Sequence, residues 1–79
     1  MKYEEYLKTL SKPEKERVEK IVAFIKKHPE GITIQDIAKN IDLTRMTITK
    51  YVFGLHGAGL INMRRVGKAW LITWKNLWI

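Results

Sequence analysis

The sequence predicts a mainly α-helical domain with a small β-hairpin, and three observations carry that expectation. Two short stretches of helical apolar spacing meet at a tight turn between Thr33 and Ile61, a longer capped helical stretch precedes them, and two strand-like runs around a basic loop follow Gly59. At 79 residues the chain can bury one core, so a single domain over residues 1–79 is expected.

Residues 1–10, MKYEEYLKTL, set Tyr3, Tyr6, Leu7 and Leu10 at i, i+3, i+4 and i+7, one apolar stripe on a short N-terminal helical arm. A helix this short is marginal alone in water, so the stripe needs a surface to cover, either the chain's own core or a second subunit. The first long helix is expected over residues 12–28. Ser11 is placed to cap it, Pro13 lies in its first turn, and Glu14 holds the capping-box position. Val18, Ile21, Val22 and Ile25 then repeat at helical spacing, with Glu16, Arg17, Glu19 and Lys20 opposite, and Pro29 and Gly31 end the run. His28 fits a C-terminal cap favoured by the helix dipole; no partner stands at metal-ligand spacing from it, and no metal site is expected.

Residues 34–58 hold the pair of short helices. Ile34, Ile37, Ala38 and Ile41 line one, and Leu43, Ile48, Val52 and Leu55 line the other. Small Ala38 allows the close approach of the two. Asp42 stands in the turn, where glycine is commoner, and is expected to take a left-handed conformation there. Thr33 with Asp36 caps the first helix, and Thr44 caps the second. This is a helix-turn-helix pattern, whose second helix, here 44–58, would enter a DNA major groove. Gly54 and Gly57 each cost that helix about 1 kcal/mol relative to alanine, so its C-terminal half is expected to be bent or short. Phe53 falls off its buried stripe and needs other cover, whereas Tyr51 flanks the stripe and is expected in the core.

Gly59 is the expected left-handed C-cap, and residues 60–73 form the hairpin. One strand starts at Leu60 and Ile61, and the other runs from Ala69 to Thr73, with Trp70 and Ile72 on one face and Leu71 on the other. A type I turn at Arg65 and Val66, with Gly67 as a left-handed bulge residue, avoids forcing β-branched Val66 to positive φ. The tip would then carry Arg64, Arg65 and Lys68 together, as a basic wing. In residues 74–79, Trp74, Leu77 and Trp78 stand at i, i+3 and i+4, the pattern of a C-terminal helical tail. Two tryptophans on so short a stripe need burial, and with the N-terminal arm they make a homodimer the expected assembly.

The net charge of +7 is unevenly spread. Residues 1–40 carry nine Lys/Arg against seven Asp/Glu, and residues 41–79 six against one, with no acid beyond Asp42. That basic half expects a polyanionic partner, nucleic acid before membrane. There is no cysteine, so no disulfide or thiolate metal site holds the fold, which fits the cytoplasm. No apolar run is long enough to span a bilayer, and no signal-peptide pattern opens the chain, so a soluble cytoplasmic protein is expected. With two histidines, no cysteine and acids spread over helix surfaces, no nucleophile and base stand at useful spacing; neither an enzyme nor a cofactor is expected.

The run LTRMTITKYVFGLHGAGLI followed by RRVGKAWLIT resembles the DNA-binding core of archaeal and bacterial winged helix-turn-helix transcriptional regulators of the ArsR/MarR-like kind, over roughly residues 17 to 73. The sequence departs from that pattern at Asp42, which replaces the usual turn glycine, and at the two internal glycines, and it shows no ligand-sensing metal motif. The resemblance implies a three-helix core plus wing and a regulator that binds double-stranded DNA sequence-specifically. The outward residues near the start of the second helix, Arg45, Met46, Thr49 and Lys50, are the groove candidates. Arg45 is suited to guanine O6 and N7, Met46 to a thymine methyl, Thr49 to a base edge or phosphate, and Lys50 to a phosphate. Thr44 and Thr47 can offer hydroxyls and amides to the backbone, and Arg64, Arg65 and Lys68 would bind phosphates or the minor groove. Rival readings are a nonspecific architectural DNA-binding protein, or a winged helix used for RNA or protein contact.

Overall fold

The computed structural model describes residues 2–75. Four helices and one hairpin follow in order: α1 (Tyr3–Lys8), α2 (Lys12–Lys26), α3 (Ile34–Asn40), α4 (Arg45–Gly57), β1 (Ile61–Val66) and β2 (Ala69–Trp74). α2, α3 and α4 form a three-helix core, and the antiparallel hairpin closes one side as a wing. The fold is a winged helix-turn-helix.

Each start follows from its capping chemistry. At α2 the Glu14 carboxylate accepts from both the backbone N–H (3.2 Å) and the hydroxyl (2.9 Å) of Ser11. At α3 Thr33 and Asp36 exchange bonds reciprocally, the Asp36 N–H donating to the Thr33 hydroxyl at 3.1 Å and the Thr33 N–H to the Asp36 carboxylate at 3.0 Å. These bonds from Ser11 and Thr33 hold the Glu14 and Asp36 carboxyls below their ordinary pKa values. His28 caps the other end of α2: its Nδ1 lies 2.9 Å from the Phe24 carbonyl, an oxygen that can only accept, so the ring nitrogen donates.

The core gathers Val18, Ile21, Val22 and Ile25 of α2, Ile37 of α3, Ile48, Tyr51, Val52 and Leu55 of α4, and Ile61, Ile72 and Trp74 of the hairpin. Tyr51 is among them, as its spacing implied. The wing is tied to the helices by backbone as well as packing. Ile32 and Ile72 form an antiparallel bridge, with N–H to O distances of 3.0 and 2.7 Å. Gly31 makes this approach possible, since its φ is +103° and a Cβ there would sit 2.6 Å from Leu71 Cγ.

Several expectations are corrected. Asp42 is not left-handed; among the described residues only glycines have positive φ. The turn is made instead by an extended Ile41 and an i to i+2 bond, Leu43 N–H to the Ile41 carbonyl at 2.8 Å, an inverse γ-type closure that needs no glycine. The internal glycines leave α4 helical to Gly57. Ala58 and Gly59 then close it as a Schellman motif: Gly59 has φ +76°, its N–H meets the His56 carbonyl at 3.0 Å, and the Leu60 N–H meets the Leu55 carbonyl at 3.0 Å.

The hairpin turn also differs. Val66 pairs with Ala69, leaving a two-residue loop of Gly67 and Lys68 with Gly67 at φ +61°, the pattern of a type II′ turn. A glycine at the first central position makes the bulge unnecessary, and Val66 stays in the strand.

The N-terminal arm and the end of β2 pack against the chain's own core. Tyr3, Tyr6, Leu7 and Leu10 pack half-buried on the core, and Tyr3 meets Trp74 edge-on with centroids 5.4 Å apart. Gly54 is where the arm crosses α4: a Cβ there would stand 2.6 Å from the Tyr6 hydroxyl. Trp74 is the last residue of β2, buried, rather than the first of a helical tail. The arm and Trp74 are therefore committed to the chain's own core, and residues 76–79 of the expected tail, Trp78 included, lie outside the described residues.

Candidate nucleic-acid interface

α4 turns Ile48, Tyr51, Val52 and Leu55 inward, so its opposite face is fixed by the 100° step of the helix. Arg45, Met46, Lys50 and Phe53 are exposed, and Thr47 and Thr49 are half-buried at the margins. Thr44 caps the helix, its hydroxyl oxygen accepting from the Thr47 N–H at 3.2 Å, and that hydroxyl in turn donates to the Thr47 hydroxyl at 2.9 Å. The Thr47 hydroxyl hydrogen is left to donate outward. Thr49 is more constrained: its hydroxyl donates to the Arg45 carbonyl one turn back at 2.7 Å, so toward a ligand it can only accept.

Strand alternation divides the basic wing. Ile61, Met63 and Arg65 share one face with Trp70, Ile72 and Trp74, and Asn62, Arg64 and Val66 share the other with Ala69, Leu71 and Thr73. Arg65 therefore stands on the side of the helices. Its guanidinium lies 5.4 Å from the Trp70 ring centre, and its Nε donates to the Gly67 carbonyl at 3.3 Å. Arg64 faces the opposite way, lining a groove with Glu30, Asn62 and Leu71. The expectation that the tip carries all three cations together is thus corrected: adjacent strand residues cannot share a face.

A groove of about 350 Å³ joins the two halves of the site. Arg45 and Thr49 of α4 line it on one side, Lys68 and Trp70 of the hairpin on another, and Thr33, Ile34 and Gln35 at the start of α3 close it. A second hollow, of about 370 Å³, sits at the start of α4, where Arg17 of α2 meets Thr44 and Thr47 beside Asp42 and Leu43. Gln35, Trp70 and Arg17 were not among the sequence candidates. Trp70 could have been found from a correct hairpin register, which sets it opposite Arg65; Gln35 and Arg17 reach the site only through the tertiary crossing of α2, α3 and α4.

The electrostatics carry one further correction. The acid-free second half of the chain is not wholly unneutralised, because Glu14, from the start of α2, comes within 3.7 Å of the Lys50 ammonium. The Lys50 side chain stays 70% exposed, so the pair is a loose surface contact rather than a sequestered charge. Arg45, the other expected cation of α4, is exposed as well, and Arg45 and Lys50 both point away from the core.

Among the described residues no group of three or more His, Asp or Glu is arranged to hold a metal ion, and no helix is long and apolar enough to cross a membrane. Comparison with known proteins gives one match: a family model described as HTH domain covers residues 17–66. No curated protein and no solved structure matches the chain. The matched span begins within α2 and ends at the last residue of β1, taking in the turn, α4 and the first strand of the wing. The chain belongs to the HTH domain family, and its helix-turn-helix is a DNA-binding domain.

Proposed function

We propose that the protein is a sequence-specific transcriptional regulator of the winged helix-turn-helix kind, as its resemblance to ArsR/MarR-like regulators implies, acting on double-stranded DNA in the cytoplasm. α4 enters the major groove, with Arg45 reading a base edge and Lys50 held to the backbone; Thr44 and Thr47 bind phosphate at the start of that helix. Arg65 and Lys68 extend the contact along the wing to phosphates or the minor groove, and Arg64 serves the wing's other side. The observation that carries this reading is the outward face of α4, where no acidic residue stands between Thr44 and the end of the helix and the side chains are free of the core.

Selection from random duplexes, followed by salt titration of the chosen sequence, a scrambled duplex and the matched RNA, tests it. A selected duplex bound at least about a thousandfold tighter than the scrambled one supports specific regulation. Equal affinity for all duplexes would make the protein architectural, and equal affinity for the RNA would remove DNA as the preferred partner. A homodimer on a palindromic site is the assembly that goes with this reading. Light scattering at micromolar concentration, with and without the selected duplex, decides it: two copies per duplex support the dimer, one copy overturns it.

A further inference from the structure

The middle of the outward face of α4, away from Arg45 and the Thr44 cap, is rich in exposed apolar surface. Met46 is 84% exposed and Phe53 46%, although both sit on a helix whose other side is packed to completion. A single exposed apolar residue on a protein surface needs no explanation. These two share one line: Met46, Lys50 and Phe53 stand at i, i+4 and i+7, centred on the face opposite Ile48 and Leu55. Thr49, beside that line, has already given its hydroxyl hydrogen to the Arg45 carbonyl. The middle of the face therefore offers bases one ammonium and two apolar side chains.

We infer that Met46 and Phe53 recognise pyrimidine C5-methyl groups in the major groove, so that the preferred site carries thymines at two places within about three base pairs of each other. The major groove displays one apolar feature, the thymine methyl, and an apolar side chain is the group that reads it. Seven residues of helix span about 10 Å and base pairs rise about 3.4 Å, so a helix inclined to the duplex axis puts the two side chains at different base pairs no more than about three steps apart. Charge complementarity selects DNA over a second protein surface as the occupant: Lys50 lies within the apolar line and Arg45 at its edge, and no acidic residue belongs to α4. The inference rests on the DNA-reading role of α4 proposed above and adds the chemistry by which that helix tells one base from another.

The test starts from the duplex selected with the purified full chain. Each thymine in it is replaced singly by deoxyuridine, which removes the methyl and keeps the pairing edge, and binding is followed by fluorescence anisotropy. Two thymines within about three base pairs of each other should each weaken binding about fourfold when the methyl is lost. Met46→Ala should abolish the effect at one of them and Phe53→Ala at the other. Both side chains are exposed, so the variants keep the fold. A selected duplex indifferent to every uracil substitution overturns the methyl reading and leaves specific binding standing. No selected duplex at all overturns both. If Phe53→Ala changes the mass of the free protein in light scattering and leaves the uracil profile unaltered, the face belongs to a second copy and the inference fails.

Discussion

α2 and α4 bury four side chains each against the same core, Val18, Ile21, Val22 and Ile25 from one and Ile48, Tyr51, Val52 and Leu55 from the other. Their outer faces have little in common. α2 shows water a mixture of Glu16, Glu19 and Lys20, the usual composition of a solvated helix face, and only Arg17 at its edge reaches the hollow at the start of α4. α4 shows Arg45, Met46, Lys50 and Phe53, with no acid and two large apolar groups. The inner faces are equivalent because close packing imposes one rule on both. Only the outer faces are free to differ, so the asymmetry there records what each helix touches beyond its own fold.

The largest effects should come from the side the two helices have in common. Ile21→Ala and Ile48→Ala, both fully buried, should each cost about 2–5 kcal/mol in chemical denaturation. Met46→Ala should stay within about 0.5 kcal/mol of the parent. A large loss from Met46→Ala would mean that its side chain is structural, and the contrast between the faces would collapse. Next in size is the outer side alone. Arg45→Ala should weaken binding to the selected duplex by about 1–3 kcal/mol and relax discrimination at one base pair, whereas Lys20→Ala on the outer face of α2 should leave that discrimination intact. On the wing, Arg65→Ala should weaken all duplexes alike and lower the salt slope by about one. Arg64→Ala, on the other face of the hairpin, should do less.

Smaller still are the glycines. Gly57→Ala meets nothing within 4 Å and should stabilise α4 by up to about 1 kcal/mol. Gly54→Ala should gain less, because its new methyl must displace the Tyr6 hydroxyl. The smallest effect is acid sensitivity. Glu14 and Asp36 titrate below their ordinary values because Ser11 and Thr33 donate to the ionised forms. Their contribution to stability is therefore complete above the ordinary carboxylate values, about 4.5 for Glu and 3.8 for Asp, and is lost as pH falls through the lowered values in the folded protein. Glu14→Gln with Asp36→Asn should flatten the melting temperature across that acidic window and leave its slope near neutrality unchanged.

Most of the fold was legible in the sequence because it is written in local periodicity. The stripes of α2, α3 and α4, the Thr33 and Thr44 caps and the Gly59 stop each lie within a few residues of the groups they act on. What escaped was set by partners distant along the chain. Asp42 kept negative φ because an extended Ile41 supplied the bend. Gly54 looked like a flaw in α4 until Tyr6, 48 positions earlier, filled the space above it. Lys50 looked free of acids because Glu14 is 36 residues away, and the direction of Arg64 depended on a register that the turn alone decides. Of the candidate site, the outward direction of Arg45, Met46 and Lys50 was legible from the helix period, while Gln35, Arg17 and Trp70 come beside those residues through tertiary crossings that no spacing within one element records.

The Ile32–Ile72 bridge has a mechanical consequence. It fastens the strand that follows the wing tip to the residue just before the Thr33 cap, so two backbone hydrogen bonds couple the wing to the helical pair. A coupled pair of that kind would be sensitive to distance along a duplex as well as to sequence. If α4 and the hairpin engage one duplex as proposed, inserting a single base pair between their two contacts should weaken one of them, because the bridge resists the shift that would follow the displaced half.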